Sequence, residues 1–469
     1  MKQKSIYFYV AVLGVFFGIC SPMLFTQGMF MDGTTYAAIA KNMALGDGTF
    51  WKPHCSDTYI TVFYGHPPLA IWIESLFFRI AGTSILVERF YSVSCILFIG
   101  FLMVKIWKEF TNEIITAWIP LLLLISFPVI TWTATNNMLE NTMSIFICLS
   151  VWLYLIRLRK KKYYFTLLAG LVLCLGVLSK GIVAFFPWTF PFWIWLFSKK
   201  IPFKQVVGDT LSLVICTLLP LFLCYILSKD AKLFFDAYLY EQLFSSVTGL
   251  RDIAESRFLI LKTLWQQVIP CLILVTGLFL VLIAKKKTDL LTIQIRNSLI
   301  LFSLSFSGIL PVMLSLQQRG FYIIPAYPFL AIAFALLFQP FIKQLMEKIN
   351  GSSRGFLLFK IISCAVFIAV IVFAFSQKGK MGRDKKELSI VFECSKYIPP
   401  NTTISIDKET FSNWSLHAYF ARYKSISLDD GDSMHSYYLH NPQSPLPPLN
   451  EDYVHLTDIE GFGFYMRKE

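Results

Sequence analysis

The sequence predicts a polytopic α-helical membrane protein of about eleven transmembrane helices, N-terminus inside and C-terminus outside. Amphipathic helices lie in the interface, and a small C-terminal α/β domain sits outside the membrane. Three observations predict this. Apolar residues fill 56% of the 469 positions and charged residues only 15%, against about 45–50% and about 25% in soluble domains. Long apolar runs recur along the chain. Lys and Arg collect in every second connection between those runs.

The spans are expected at roughly 5–25, 85–104, 114–132, 139–157, 163–181, 183–198, 206–228, 266–284, 297–316, 321–339 and 356–376. Each approaches the ~20 apolar residues a bilayer requires, except the short sixth. Lys2 and Lys4 precede the first run as in a signal peptide. Without a clear small-x-small cleavage site, it is expected to be a retained anchor. The net charge of +13 would by itself suit a nucleic-acid partner. The basic groups, however, fall at Lys2/Lys4, Lys105/Lys108, Arg157 to Lys162, Lys199 to Lys204, Lys285 to Lys287 and Lys343 to Lys360. That alternation is the positive-inside pattern, so topology accounts for the charge and no nucleic acid is implied.

Residues 1–376 form the expected membrane domain, with two large outer segments at 26–84 and 229–265. In the first, "MDGTTYAAIAKNMALG" predicts a helix that Asp32 caps and Gly46 ends. "YGHPPLAIWIESLFFRIAG" predicts a second helix, opened by Pro67 and Pro68. Its apolar side carries Trp72, Leu76, Phe77 and Ile80, while Glu74 and Arg79 interrupt it; this suits a helix lying in the interface. "KDAKLFFDAYLYEQLF" in the second segment has the same aromatic, amphipathic character. From 377 to 469 long apolar runs vanish, and the short stretches "TTISID", "YKSISL" and "GFGFYMR" predict strands. Eight of the ten Cys lie in or beside spans. Cys55 and Cys394 lie outside them, which leaves a disulfide and two free thiols both open.

Five places could carry chemistry. Asp32 is a helix cap whose carboxylate can also accept a proton. Glu140 opens the fourth span beside Asn136, Asn137 and Asn141, where an ionisable group is costly. Lys180 sits at an outer end, against the positive-inside bias, and Gly181 after it permits close backbone approach. "QQRGFYIIPAYPF" puts Arg319, suited to bidentate phosphate binding, beside the Tyr322 hydroxyl. His66 precedes the Pro-opened helix. Each has a plain alternative: a cap, a solvated headgroup acid, a snorkelling Lys, an interfacial Arg with a belt Tyr, and a polar residue before a Pro-opened helix. A lipid or polysaccharide flippase would instead need ionisable groups near mid-span and two related halves. Neither is visible.

The order of these features resembles the membrane glycosyltransferases of the GT-C class. Within it the chain is similar to the bacterial family that includes lipid A aminoarabinose transferases and relatives of protein O-mannosyltransferases. Residues 1–340 carry the resemblance; the tail matches in position and size. It implies a GT-C architecture and inverting sugar transfer from a polyprenyl-phosphate carrier to a lipid, glycan or protein acceptor. The reaction would occur at the outer, periplasmic face of a bacterial inner membrane. Asp32 matches the family's catalytic acid, Glu140 its second acid and Lys180 its Lys-Gly turn. Tyr322, with Arg319, matches the contact to the carrier phosphate. Where many relatives have Lys-Pro-Pro this chain has His66-Pro67-Pro68, so a protonated His66 would have to replace the Lys. Where protein-modifying relatives often have Asp-Glu, this chain has Asp32-Gly33, which leaves the acceptor open. Tyr36 and Trp72 would seat acceptor and lipid tail. No cofactor is required; a divalent cation is compatible with two outer acids but nothing demands it. A monomer is expected.

Overall fold

The computed structural model describes residues 2–199, 201–245, 256–431, 433–444 and 452–468; the middle of the 229–265 segment therefore lies outside the described residues. Among these, eight helices are long and apolar enough to cross a membrane. α1 (Lys2–Leu24), α4 (Val87–Thr111), α7 (Leu139–Lys160) and α10 (Phe203–Leu227) are four of them. The others lie within 259–284, 288–314, 320–348 and 354–376. The fifth and sixth expected spans form shorter apolar helices, Tyr164–Lys180 (α8) and Ile182–Ser198.

The expected single span at 114–132 is instead broken. α5 (Trp118–Ile125) and α6 (Pro128–Asn136) meet at 78°. Pro128 is the cause: it lacks an amide hydrogen and forces its predecessor out of the helical region. Phe127 accordingly stands at φ −78°, ψ 112°. Asn137, at φ 51°, then turns the chain into α7.

The core is most buried along the span Gly320–Lys348, whose most apolar stretch is 78% buried; the corresponding stretches of α10 and the Arg354–Ser376 helix are only 11% buried. Their Leu, Ile and Phe side chains face outward, as lipid-facing surface should. The basic connections meet at one end of the bundle. There Lys4 bonds the Ile349 carbonyl, Arg159 pairs with Glu109 at 2.7 Å, and Arg157 pairs with buried Asp209 at 3.3 Å. α1 is 23 residues long, about 35 Å at 1.5 Å per residue, so its other terminus lies at the opposite end.

That opposite end carries α2 (Met31–Leu45), α3 (Leu69–Ala81) and the C-terminal domain. α2 ends at Gly46, φ 95°, as expected. Its start differs. The N-cap is Phe30, with no side-chain cap bond, and Asp32 stands one residue inside the first turn. The cap reading of Asp32 is thus corrected: the Phe30 N–H is taken by Asn136 Oδ1 at 2.8 Å. Tertiary contact fixes where the helix begins.

The C-terminal domain is a five-stranded mixed sheet in the order β2-β1-β3-β5-β4. The strands are β1 (Thr403–Ile406), β2 (Ser427–Asp429), β3 (Tyr437–His440), β4 (Tyr453–Ile459) and β5 (Phe462–Arg467). "TTISID" and "GFGFYMR" become β1 and β5. "YKSISL" is mostly not a strand: Tyr423 and Lys424 close the helix Trp414–Lys424 before β2 begins. Cys55 and Cys394 are free thiols, buried in separate hydrophobic clusters.

The Trp414–Lys424 helix packs on α2. Lys41 Nζ donates to Ala421 O at 2.6 Å and Ser425 Oγ at 2.8 Å. Arg422, 1% exposed, pairs with Glu88 Oε2 at 2.7 Å and donates to the Thr83 and Ser84 carbonyls. Removing one partner of a buried pair costs about 3–5 kcal/mol. Arg422→Met is therefore expected to loosen the domain from the bundle. Limited proteolysis should cut the 376–384 connection faster, with the membrane helices intact.

Candidate active site

Four elements converge beside the first turn of α2: the α6–α7 break, the C-terminus of α8, the 3₁₀ turn Gly320–Ala326, and the segment after the helix Lys229–Ala237. Lys180, the last residue of α8, meets Glu140, in the first turn of α7, at 2.6 Å. Their side chains are 6% and 0% exposed. The ammonium also lies 5.5 Å from the Phe321 ring centroid and 5.7 Å from that of Tyr322. Lys180 is thus an enclosed cation with a carboxylate on one side and two π faces on the other.

Asp32 faces this group. Burial raises its carboxyl above the ordinary aspartate range, while Lys180 and Arg319 pull it back down; both cations are close enough to favour the charged form. Arg319 itself is exposed. Tyr36, one turn along α2, is 4% exposed. Burial, then Asp32, Glu140 and Tyr322, push its phenol well up, so it stays protonated. The His66 ring stands edge-on to Tyr36 at 6.0 Å. Five of the expected residues besides Asp32 (Tyr36, Glu140, Lys180, Arg319 and Tyr322) therefore gather with it, and His66 stands beyond Tyr36.

Trp72 does not join them. It meets Phe50 at 6.3 Å and begins an aromatic wall. Phe50 leads to Trp51 at 4.8 Å, Trp51 to Phe234 at 5.8 Å, and Phe234 to Tyr238 at 6.5 Å. Tyr238 closes on the site where Gly181, at φ 110°, leaves room: a Cβ there would overlap the Tyr238 hydroxyl. The close approach at Gly181 was legible in the sequence. Its partner was not, because "FFDAYLYEQLF" offers many aromatics and no periodicity that singles out Tyr238. Glu74 and Asn137, which contact each other at 2.8 Å next to the Gly33 carbonyl, were not paired by the sequence reading. Glu74 read as an interruption of an apolar face.

Among the described residues no three His, Cys, Asp or Glu side chains gather as a metal site. A cation shared by Asp32 and Glu140 would have to displace the Lys180 ammonium from Glu140.

A general acid–base step and a leaving anion are what this arrangement can serve: one carboxylate, with cations beside it and a phenol below. Residues 65–226 match the family described as dolichyl-phosphate-mannose-protein mannosyltransferase. No curated protein sequence matches the chain. Among solved structures, ArnT from Cupriavidus metallidurans bound to undecaprenyl phosphate aligns at 13% identity and TM-score 0.66, covering 97% of each chain. Its apo state aligns at 13% and 0.63, over 97% of this chain and 96% of that one. The apo oligosaccharyltransferase of Archaeoglobus fulgidus aligns at 12% and 0.50, over 90% of this chain and 64% of that one. The chain thus shares the GT-C fold of these structures over 97% of its length, and residues 65–226 are similar in sequence to the mannosyltransferase family model.

Proposed function

We propose that this chain is an inverting glycosyltransferase that moves a sugar from a polyprenyl-phosphate carrier to a lipid, glycan or protein acceptor. The observation that carries the proposal is the meeting of Asp32 with Lys180 and Arg319 at the end of the bundle remote from the basic connections. By the positive-inside rule that end faces outward, here the periplasmic side of a bacterial inner membrane. The undecaprenyl phosphate bound by the similar ArnT structure supports a carrier of that class.

The step is a single displacement. An acceptor hydroxyl gives its proton to an Asp32 oxygen as its own oxygen bonds to the anomeric carbon. The bond from that carbon to the carrier phosphate breaks, and the phosphate leaves with the electron pair. Charge that develops on it is met by Arg319 from the exposed side and Lys180 from within. Glu140 holds Lys180 in place, and Tyr322 and His66 line the same approach. The aromatic wall from Trp72 to Tyr238 offers the carrier's isoprene chain an apolar bed. If the acceptor is a phosphate, Asp32 orients it and no proton need move. All the groups come from one chain, so a monomer suffices.

The test is direct. Purified protein in lipid nanodiscs is incubated with labelled sugars on undecaprenyl phosphate and with bacterial glycolipid, glycan and peptide acceptors. Label should move to one acceptor class. A folded protein that binds undecaprenyl phosphate yet transfers nothing across the panel would sink the reading.

A further inference from the structure

Glu74 is the sole acid of α3, and it is fully buried while Ile80 on the same helix is 88% exposed. An interfacial helix ordinarily gives its acids to water, so this one is held inward by something. Its Oε1 accepts from Asn137 Nδ2 at 2.8 Å, and the same amide nitrogen donates to the Gly33 carbonyl at 3.2 Å. The amide has two hydrogens, so both bonds stand together. Asn136 takes the Phe30 N–H and is itself held by Nδ2 donating to Trp132 O at 2.8 Å. Gly33 packs so closely that a Cβ would overlap the Asn136 carbonyl. The residues on both sides of the Met31–Asp32 pair are thus tied to the α6–α7 break.

We propose that Glu74 and Asn137 are positioning residues that clamp the first turn of α2 so that the Asp32 carboxylate faces Lys180 and Arg319. This rests on the assignment of Asp32 given above. The clamp needs an acceptor at Glu74 and no charge. Burial pushes the Glu74 carboxyl well above its ordinary range; the Asn137 bond and Arg422 oppose that rise, and Glu88 adds to it. A glutamine carbonyl at 74 reproduces the neutral acid's acceptor; a leucine fills the space without it.

The experiment compares full-length wild type, Glu74→Gln, Glu74→Leu and Asn137→Ala in nanodiscs. Three readouts are taken: amide hydrogen exchange across residues 31–36, undecaprenyl phosphate affinity, and transfer kinetics. A displacement of about 1 Å can cost about 10²-fold in rate. Glu74→Leu should therefore lower kcat by at least about tenfold and speed exchange in that turn by a similar factor. KM and undecaprenyl phosphate affinity should hold. Glu74→Gln should match wild type in all three. Asn137→Ala cuts the clamp from the other side and should follow Leu, which keeps the test open if Glu74→Leu does not fold. Wild-type exchange and turnover in the cut variants would overturn the proposal, as would a Gln variant as damaged as Leu. A wild type without transfer would instead sink the assignment of Asp32, and exchange would still decide the clamp.

Discussion

Asp32→Asn is expected to lower turnover by about 10²–10⁴-fold, the usual range for losing a positioned general base. The amide keeps the shape but cannot take the acceptor's proton. Stability should hold or rise slightly, since a half-buried carboxylate becomes neutral. The pH profile gives an independent check. The base works only when ionised, so activity must fall as pH drops through its pKa. Burial raises that pKa and the two cations lower it, so the acid limb of kcat/KM should lie above the range of an ordinary aspartate. Arg319→Gln removes one opposing cation and should move the limb to still higher pH. A limb that stays put in Arg319→Gln would argue that another group titrates. An Asp32→Asn protein with wild-type turnover on a hydroxyl acceptor would refute its role as base.

Lys180→Met is expected to have a large effect on stability. It leaves the Glu140 carboxylate, with no exposed surface, without its ammonium. Breaking a buried pair in this way costs about 3–5 kcal/mol. The doubly neutral Lys180→Met/Glu140→Gln protein should recover most of that loss, because no uncompensated charge remains. On the proposed mechanism, transfer and undecaprenyl phosphate binding should not recover with it, because the cation assigned to the leaving phosphate is still missing. Thermal unfolding in detergent and phosphate-carrier binding, measured on the same three proteins, separate the two roles. If the double variant regains transfer, Lys180 serves the fold alone.

Much of the architecture was legible in local averages. Apolar run length located every helix long enough to cross a membrane, and the alternation of Lys and Arg marked the end where Lys4, Arg157 and Arg159 meet. Gly46, Pro67-Pro68 and Gly181 were read correctly because each answers to a backbone rule that needs no neighbour. The break at Pro128 answers to a backbone rule of the same kind, but the apolar run continues through it, so run length alone predicts one span. Strands β3 and β4 were missed because "YYLH" and "YVHLTDI" carry polar and His residues that dilute a period-two pattern.

The site was legible as an inventory and not as a geometry. Sequence spacing supplies Asp32, Glu140, Lys180, Arg319 and Tyr322 at the same end of successive helices, since odd and even helix termini alternate across a bilayer. It does not say that Lys180 spends its charge on Glu140, that Phe30 starts α2 while Asp32 stands inside it, or that Tyr238 fills the space Gly181 leaves. Nor does it say that Glu74 turns inward to Asn137. Composition and periodicity by themselves determined the membrane class, the helices and which end the candidate site residues share, because those follow from each segment's own solvation. Which acid is paired, which is left to face the cations, and what holds it there were decided by tertiary structure alone. Those depend on residues far apart in the chain, such as Glu140 with Lys180, Phe30 with Asn136 and Asp32 with Arg319, and only the packed helices bring them together.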